Sequence, residues 1–294
     1  MSMDDSGLIS IGLPIALAII MFGLGLSLTI DDFRRVARTP RAMIAALGLQ
    51  VVVLPIVAFG LVEVFDLDPL LAVGVMLLAA SPGGTTANLF SHLFGGDVAL
   101  NVSLTAINSV IAAFTIPLIT NLAIDRYDVD GELGLQFGKV AQVIAIVLVP
   151  VAIGMLVRRR APDFAARADK PVRIFSIVVL AAVSLGALLG ERDNLADYAE
   201  QVGLVTGIFC LLSLSLGYLA ARLLRLDERQ AIACSMEVGI HNTTIALTIA
   251  LSVLDSTEVA IPAAVYSVLM YLLATAFGYA ITRGRRTQRA SATV

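Results

Sequence analysis

Charge is scarce in this chain of 294 residues: only 15% are Asp, Glu, Lys or Arg, and 58% are apolar. A soluble domain is usually about 25% charged and about 45–50% apolar. The shortfall excludes a soluble enzyme, a nucleic-acid binder and a disordered scaffold. There are two cysteines, Cys210 and Cys234, both in apolar runs. That leaves no disulfide framework and no Cys-rich metal centre. The start of the chain lacks the basic residues of a secretory leader. It carries Asp4 and Asp5 instead, ahead of a run long enough to span a bilayer, so no signal peptide is expected. Gly/Ser linkers, low-complexity tracts and a separate soluble domain are missing as well. No nucleophile–base pair or cofactor motif points to a membrane-embedded enzyme or sensor.

What is present is apolar sequence in span-length blocks, with a mean hydropathy of +0.91. Runs fall near 8–28, 42–62, 70–91, 98–120, 137–157, 173–190, 202–222, 230–253 and 259–282. About 20 apolar residues cross a bilayer as a helix. The chain therefore reads as one all-α polytopic membrane unit of nine transmembrane helices, with its termini on opposite sides.

Basic residues orient it. Arg34, Arg35, Arg38 and Arg41 follow the first run. Arg158, Arg159, Arg160, Arg167, Lys170 and Arg173 follow the fifth. Arg222, Arg225 and Arg229 follow the seventh, and Arg283, Arg285, Arg286 and Arg289 follow the ninth. Strict alternation puts all of these on one side and leaves Arg126, Lys139 and Arg192 on the other. The positive-inside rule then makes the C-terminus cytoplasmic and the N-terminus external. Acids such as Glu63, Asp66, Asp68, Asp125, Asp128, Asp130, Glu132, Glu191, Asp193 and Asp255 collect on the outer side. The expected location is the cell (inner) membrane.

Two runs break the rules of a lipid-facing helix. The third contains Ser81-Pro82-Gly83-Gly84-Thr85-Thr86-Ala87-Asn88. Proline removes a helix donor, and each glycine costs about 1 kcal/mol relative to alanine. The alternatives are an unwound segment, which membranes tolerate only inside protein or beside a cavity, and a simple proline kink. The eighth run contains Glu237-Val238-Gly239-Ile240-His241-Asn242-Thr243-Thr244. Glu237 is the lone acid deep inside a run, and no Lys or Arg lies deep within a run to pair with it. A charge at mid-bilayer costs about 2.5–3.5 kcal/mol on insertion scales, so Glu237 calls for a cation, a proton or polar neighbours. His241 shares its helical face at i+4; it reads as a ligand, a proton carrier or a neutral member of a polar network.

In the fourth run Asn101, Thr105 and Asn108 form one helical stripe, and Gln50 is the amide of the second run. Each suits either ion binding or interhelical hydrogen bonding. Two interrupted polar segments, one in each half, suggest a repeated transporter fold with its site at the broken helices.

At these residues the chain resembles the bile acid:sodium symporter family. The match runs through Ile20-Met21-Phe22-Gly23-Leu24-Gly25-Leu26, Ser81-Pro82-Gly83-Gly84-Thr85 with Asn88, Asp97-Val98-Ala99-Leu100, and Glu237-Val238-Gly239 with Asn242. The resemblance implies inverted repeats forming a panel (8–28, 137–157, 173–190) and a core (42–62, 70–91, 98–120, 202–222, 230–253, 259–282). It implies a nine-span form lacking the first helix of ten-span relatives, with two unwound helices crossing at the centre. It further implies two sodium ions behind the crossing. The positions matching the first ion's site are Ala87, Asn88, Asn101, Thr105 and Glu237. Ala87 and Asn101 both stand where a relative has serine. The second set is Gln50, Glu237, the carbonyls of Val238 and Ile240, and His241, where the family has glutamine.

Thr85 and Asn242 are the implied contacts of an organic anion. The expected function is sodium-coupled symport of that anion by alternating access, with the bilayer and small ligands as the only partners: no nucleic acid and no protein. A proton-coupled carrier using Glu237 and His241 is the alternative. The related arsenite-efflux class would need a cysteine near the first unwound helix, which the third run lacks.

Overall fold

The computed structural model describes residues 3–35, 38–129, 137–190 and 195–291. Its helices are α1 (Met3–Ser27), α2 (Ile30–Arg35), α3 (Pro40–Gly48), α4 (Leu54–Val64), α5 (Pro69–Ala80), α6 (Thr85–Leu93), α7 (Val98–Arg126), α8 (Phe137–Arg160), α9 (Pro162–Gly190), α10 (Leu195–Leu223), α11 (Glu228–Gly239), α12 (Thr243–Ser252) and α13 (Thr257–Ser291). The apolar runs of the sequence fall on helices, interrupted at 81–84 in the third and 240–242 in the eighth. Five helical stretches are long and apolar enough to cross a membrane: Pro40–Val64, Val98–Arg126, Gly138–Arg160, Gln201–Leu223 and Thr257–Arg283. The chain is therefore a polytopic, all-helical membrane protein. Large apolar side chains such as Ile44, Ile56, Leu118 and Leu122 point outward, as a lipid-facing surface requires. Of the charges used to orient the chain, Asp130, Glu132, Glu191, Arg192 and Asp193 lie outside the described residues.

Local chemistry sets the helix ends. Pro40 and Pro69 open α3 and α5, where a missing N–H costs nothing. The Asp97 side chain accepts from the Leu100 amide at 3.0 Å and caps α7. Asp227 and Gln230 form a reciprocal capping box at the start of α11.

The second run is not one regular helix. Between α3 and α4 lies a π-helical turn, Leu49–Val53, in which the Leu54 N–H reaches the Leu49 carbonyl. Pro55, just beyond it, has no N–H for the Val51 carbonyl, and its ring would crowd that carbonyl in a regular helix. The wider turn absorbs the conflict and carries Gln50 buried into the core.

Helices α1 and α8 pack closely. A β-carbon on Gly25 would strike the Val151 carbonyl, and one on Gly154 would strike the Phe22 carbonyl. Small residues thus let the two backbones touch, the usual device for helix association in lipid. At the ends of α4 and α7, Arg126 donates to Glu63 at 3.1 Å and Tyr127 donates to the same carboxylate at 3.2 Å. Burial, then the charge of Glu63, pushes the Tyr127 phenol up to about 12, so it remains a donor throughout the physiological range.

Candidate ion and anion site

The third and eighth runs are both broken. Helix α5 stops at Ala80, Ser81 turns extended, and α6 begins after Gly84. Helix α11 stops at Gly239, Ile240 is extended, and Asn242 caps α12 by accepting from the Ile245 amide at 3.3 Å. The two breaks pair with each other. Gly83 and His241 form an isolated antiparallel bridge, and the Asn242 N–H donates to the Pro82 carbonyl at 2.7 Å. In a continuous helix that N–H would serve Val238, so the break frees the Val238 carbonyl from its usual partner. The proline-kink alternative for 81–88 does not hold.

Glu237 sits directly behind this crossing with 1% exposure. Thr105 donates its hydroxyl to Glu237 Oε2 at 2.6 Å; the Asn108 amide also acts on the carboxyl, but no donor meets hydrogen-bond geometry at Oε1. The carboxyl lies against the first break: a β-carbon on Gly83 would fall onto the Glu237 carboxyl atoms. A side chain at position 83 would therefore force the Glu237 carboxyl to move. Gly84 differs. Its backbone is extended, and a β-carbon there would meet Asn242 at an ordinary 3.6 Å.

The surrounding amides leave acceptors unused. Asn101 donates to the Ala233 carbonyl at 2.8 Å and to Ser91 Oγ at 2.9 Å. Gln50 donates to the Ser81 carbonyl at 2.9 Å. A carbonyl can only accept, so both amides are oriented with nitrogen toward it and oxygen away. Asn101 Oδ1, Gln50 Oε1, Asn88 Oδ1 and Glu237 Oε1 are all buried without a protein donor. Leaving one such acceptor unmatched costs about 1–3 kcal/mol. Three unmatched amide oxygens and one unmatched carboxylate oxygen fit hard monovalent or divalent cations, which oxygen ligands favour. Among the described residues no cluster of three or more His, Cys, Asp or Glu could hold a transition metal.

The structure thus bonds Gln50 to the first break and Thr105 to Glu237 beside the second, and puts Asn88 on α6 and Asn101 on α7 against α11, all singled out in the sequence. Val238 and Ile240 contribute backbone from the second break and are fully buried. His241 is buried too, with both ring nitrogens engaged. Nε2 lies 3.2 Å from Gln50 Nε2, and Nδ1 lies 3.1 Å from the Tyr266 hydroxyl, which donates to the Gly239 carbonyl at 2.8 Å. Sequence reasoning missed Tyr266; the available signal was a phenol in an apolar run, since a buried tyrosine usually finds a polar partner. It also missed Ser91 and the buried, donor-free Thr243 hydroxyl oxygen.

On the other side of the crossing is a cavity of about 280 Å³. Thr85 and Thr86 from the start of α6 line it, as do Asn242 and Thr243 from the start of α12. Met21 and Leu180, from α1 and α9, supply part of its apolar wall. No Lys or Arg among the described residues lines it. Two helix N-termini open into it with the partial positive charge of their dipoles, although the Ala87, Thr243 and Ile245 N–H groups there are already paired. Thr85 and Asn242, the implied anion contacts, both face this cavity.

The family model described as the Sodium Bile acid symporter family matches residues 14–198. A Bacillus subtilis protein named as an uncharacterized sodium-dependent transporter, YocS, is 31% identical over 261 residues, covering 88% of this chain and 79% of its own length. The Arabidopsis thaliana protein named as a probable chloroplastic sodium/metabolite cotransporter, BASS1, is 30% identical over 265 residues, covering 88% of this chain and 64% of its own. The human ileal sodium/bile acid cotransporter is 28% identical over 246 residues, covering 83% and 70%. The chain therefore spans roughly two thirds to four fifths of the length of these three relatives. They carry the names of transporters, not of enzymes. With its family model matched over more than half its length, the chain belongs to the sodium bile acid symporter family.

Proposed function

We propose that this protein is a sodium-coupled symporter of a small organic anion, working by alternating access in the cell membrane. The observation that carries the reading is the set of buried, donor-free oxygens of Gln50, Asn88, Asn101 and Glu237 behind the crossing. In this reading one sodium ion is held by Asn88, Asn101, Thr105 and Glu237. A second is held by Gln50, Glu237 and the carbonyls of Val238 and Ile240, with His241 alongside. Each ion supplies the positive charge that the buried Glu237 lacks among protein side chains, which removes the penalty of an unpaired buried carboxylate. The anion binds in front of the crossing. The N–H groups at the starts of α6 and α12, with Thr85 and Asn242, receive its carboxylate. Its apolar body lies against α1 and α9.

The chain crosses the membrane nine times in this scheme, with the N-terminus outside and the C-terminus in the cytoplasm. Helices α1, α8 and α9 form the panel, and the remaining spans form the core that moves against it. The test is uptake of a panel of radiolabelled carboxylates into proteoliposomes under an inward sodium or potassium gradient. Accumulation of a carboxylate with sodium and not with potassium is the expected result. Equal uptake under both gradients for every accumulated carboxylate would overturn the reading.

A further inference from the structure

The resemblance placed His241 among the sodium ligands, yet the side chain is fully committed elsewhere. The Tyr266 hydroxyl has one proton and donates it to the Gly239 carbonyl at 2.8 Å. Toward His241 its oxygen can therefore only accept, so the imidazole proton lies on Nδ1, 3.1 Å away. A neutral ring with its proton on Nδ1 carries a lone pair on Nε2. Gln50 Nε2 lies 3.2 Å from that lone pair.

The same Gln50 nitrogen is 2.9 Å from the Ser81 carbonyl, and turning the amide over would set two acceptors against each other there. Its two protons face three acceptors, and the two nearer ones, the Ser81 carbonyl and His241 Nε2, take them ahead of the Ala79 carbonyl at 3.4 Å. The Gln50 Oε1 atom, which has no protein donor, is what remains. Phe209 packs on the imidazole with ring centroids 5.4 Å apart and helps hold its plane. The linked groups run from Gly239 through Tyr266, His241 and Gln50 to Ser81, tying the second break to the first.

We infer that His241 and Tyr266 are positioning residues for cation binding: they orient Gln50 so that its carbonyl oxygen is presented to the ion, and His241 is not itself a ligand. The inference rests on the symporter reading for the identity of the cation, but its geometry concerns only this chain's own side chains. Partners of this kind, one step removed from a metal, typically alter affinity by about 10–100-fold when removed.

Two measurements on the full-length protein test it. The chain has two histidines, His92 and His241. Nitrogen-15 histidine labelling, with His92→Gln to assign the signals, should show His241 protonated on Nδ1 and unprotonated on Nε2, in potassium and in sodium alike. A proton on Nε2, or an Nε2 signal that moves when sodium replaces potassium, overturns the inference. In sodium titrations followed by thermal unfolding, Tyr266→Phe and His241→Leu should each weaken apparent sodium affinity by about tenfold or more. His241→Gln should preserve it, because the new amide oxygen can accept from Gln50. Tyr266→Phe removes a single oxygen and carries the test if His241→Leu does not fold. Variants that lower stability equally in both salts, with sodium affinity unchanged, would show a merely structural role and overturn the inference. Wild-type protein with no sodium-dependent shift would sink the symporter reading and this one with it, whereas the wrong tautomer sinks this one alone.

Discussion

The first break, Ser81 to Gly84, holds no ionisable side chain, while the second carries Glu237 and His241 at its edge. One is built from backbone and empty space, the other from side chains that need that space. Gly83 has no side chain because the Glu237 carboxyl occupies the position where one would go. Asn242 gives its N–H to Pro82, whereas Pro82 has no N–H to give in return. Two superficially similar interruptions therefore have complementary roles, a socket and an insert. A polar side chain added to the first break would not reproduce the second.

The comparison breaks most completely if the insert loses its charge. Glu237→Gln keeps the shape and the Thr105 contact but removes the charge that a cation would neutralise. Sodium-driven uptake should fall to background with thermal stability in potassium retained; residual sodium dependence would refute the assignment. Closing the socket comes next. Gly83→Ala should displace the carboxyl and weaken sodium binding by about 100-fold, the upper end for disturbing a ligand's support, as read from sodium titrations of purified protein.

Removing a single unmatched oxygen is milder. Asn88→Ala should reduce sodium affinity by about tenfold and leave the affinity for the anion at saturating sodium nearly unchanged in equilibrium binding. The smallest effect sharpens the contrast within the socket itself. Gly84→Ala meets only ordinary contacts, so its sodium affinity and stability should stay within about twofold of wild type, the range of substitutions that disturb no special feature. A collapse equal to that of Gly83→Ala would mean the socket is defined by backbone flexibility and not by the carboxyl's footprint.

Much of this was legible in the sequence because its causes are local. A proline followed at once by two glycines, Pro82-Gly83-Gly84, disfavours a helix through local causes alone, and a lone Glu237 in an apolar run demands an explanation in any fold. Asn88, Asn101, Thr105 and Gln50 stood out as polar residues in lipid-length segments. What depended on distant partners was not legible. The collision that keeps position 83 a glycine comes from a residue in the other half of the chain. The commitment of both His241 nitrogens depends on Tyr266, one helix further on. The π-helical turn at Leu49–Val53 was read as ordinary helix, although Pro55 marked it. The sequence put the sixth span at 173–190, yet α9 runs Pro162–Gly190. Apolar runs report only the apolar portion of a helix, and the charged turns that extend it, here with Arg167 and Lys170, are silent on that scale.

The backbone link between the breaks, Asn242 N–H to Pro82 carbonyl beside the Gly83–His241 bridge, has a thermodynamic consequence. The amides that open the cavity and the carbonyls beside the buried carboxylate belong to the same two short stretches of chain, bonded to each other. Ordering that pair for a ligand on one side orders it for a ligand on the other. If sodium raises anion affinity by some factor, the anion must raise sodium affinity by the same factor, because the coupling free energy is a property of the pair. Each bound ligand then leaves less conformational freedom to be lost by the next. Cooperativity between a cation on one side of the crossing and an anion on the other needs no long-range signal, since the element that couples them is a few residues long.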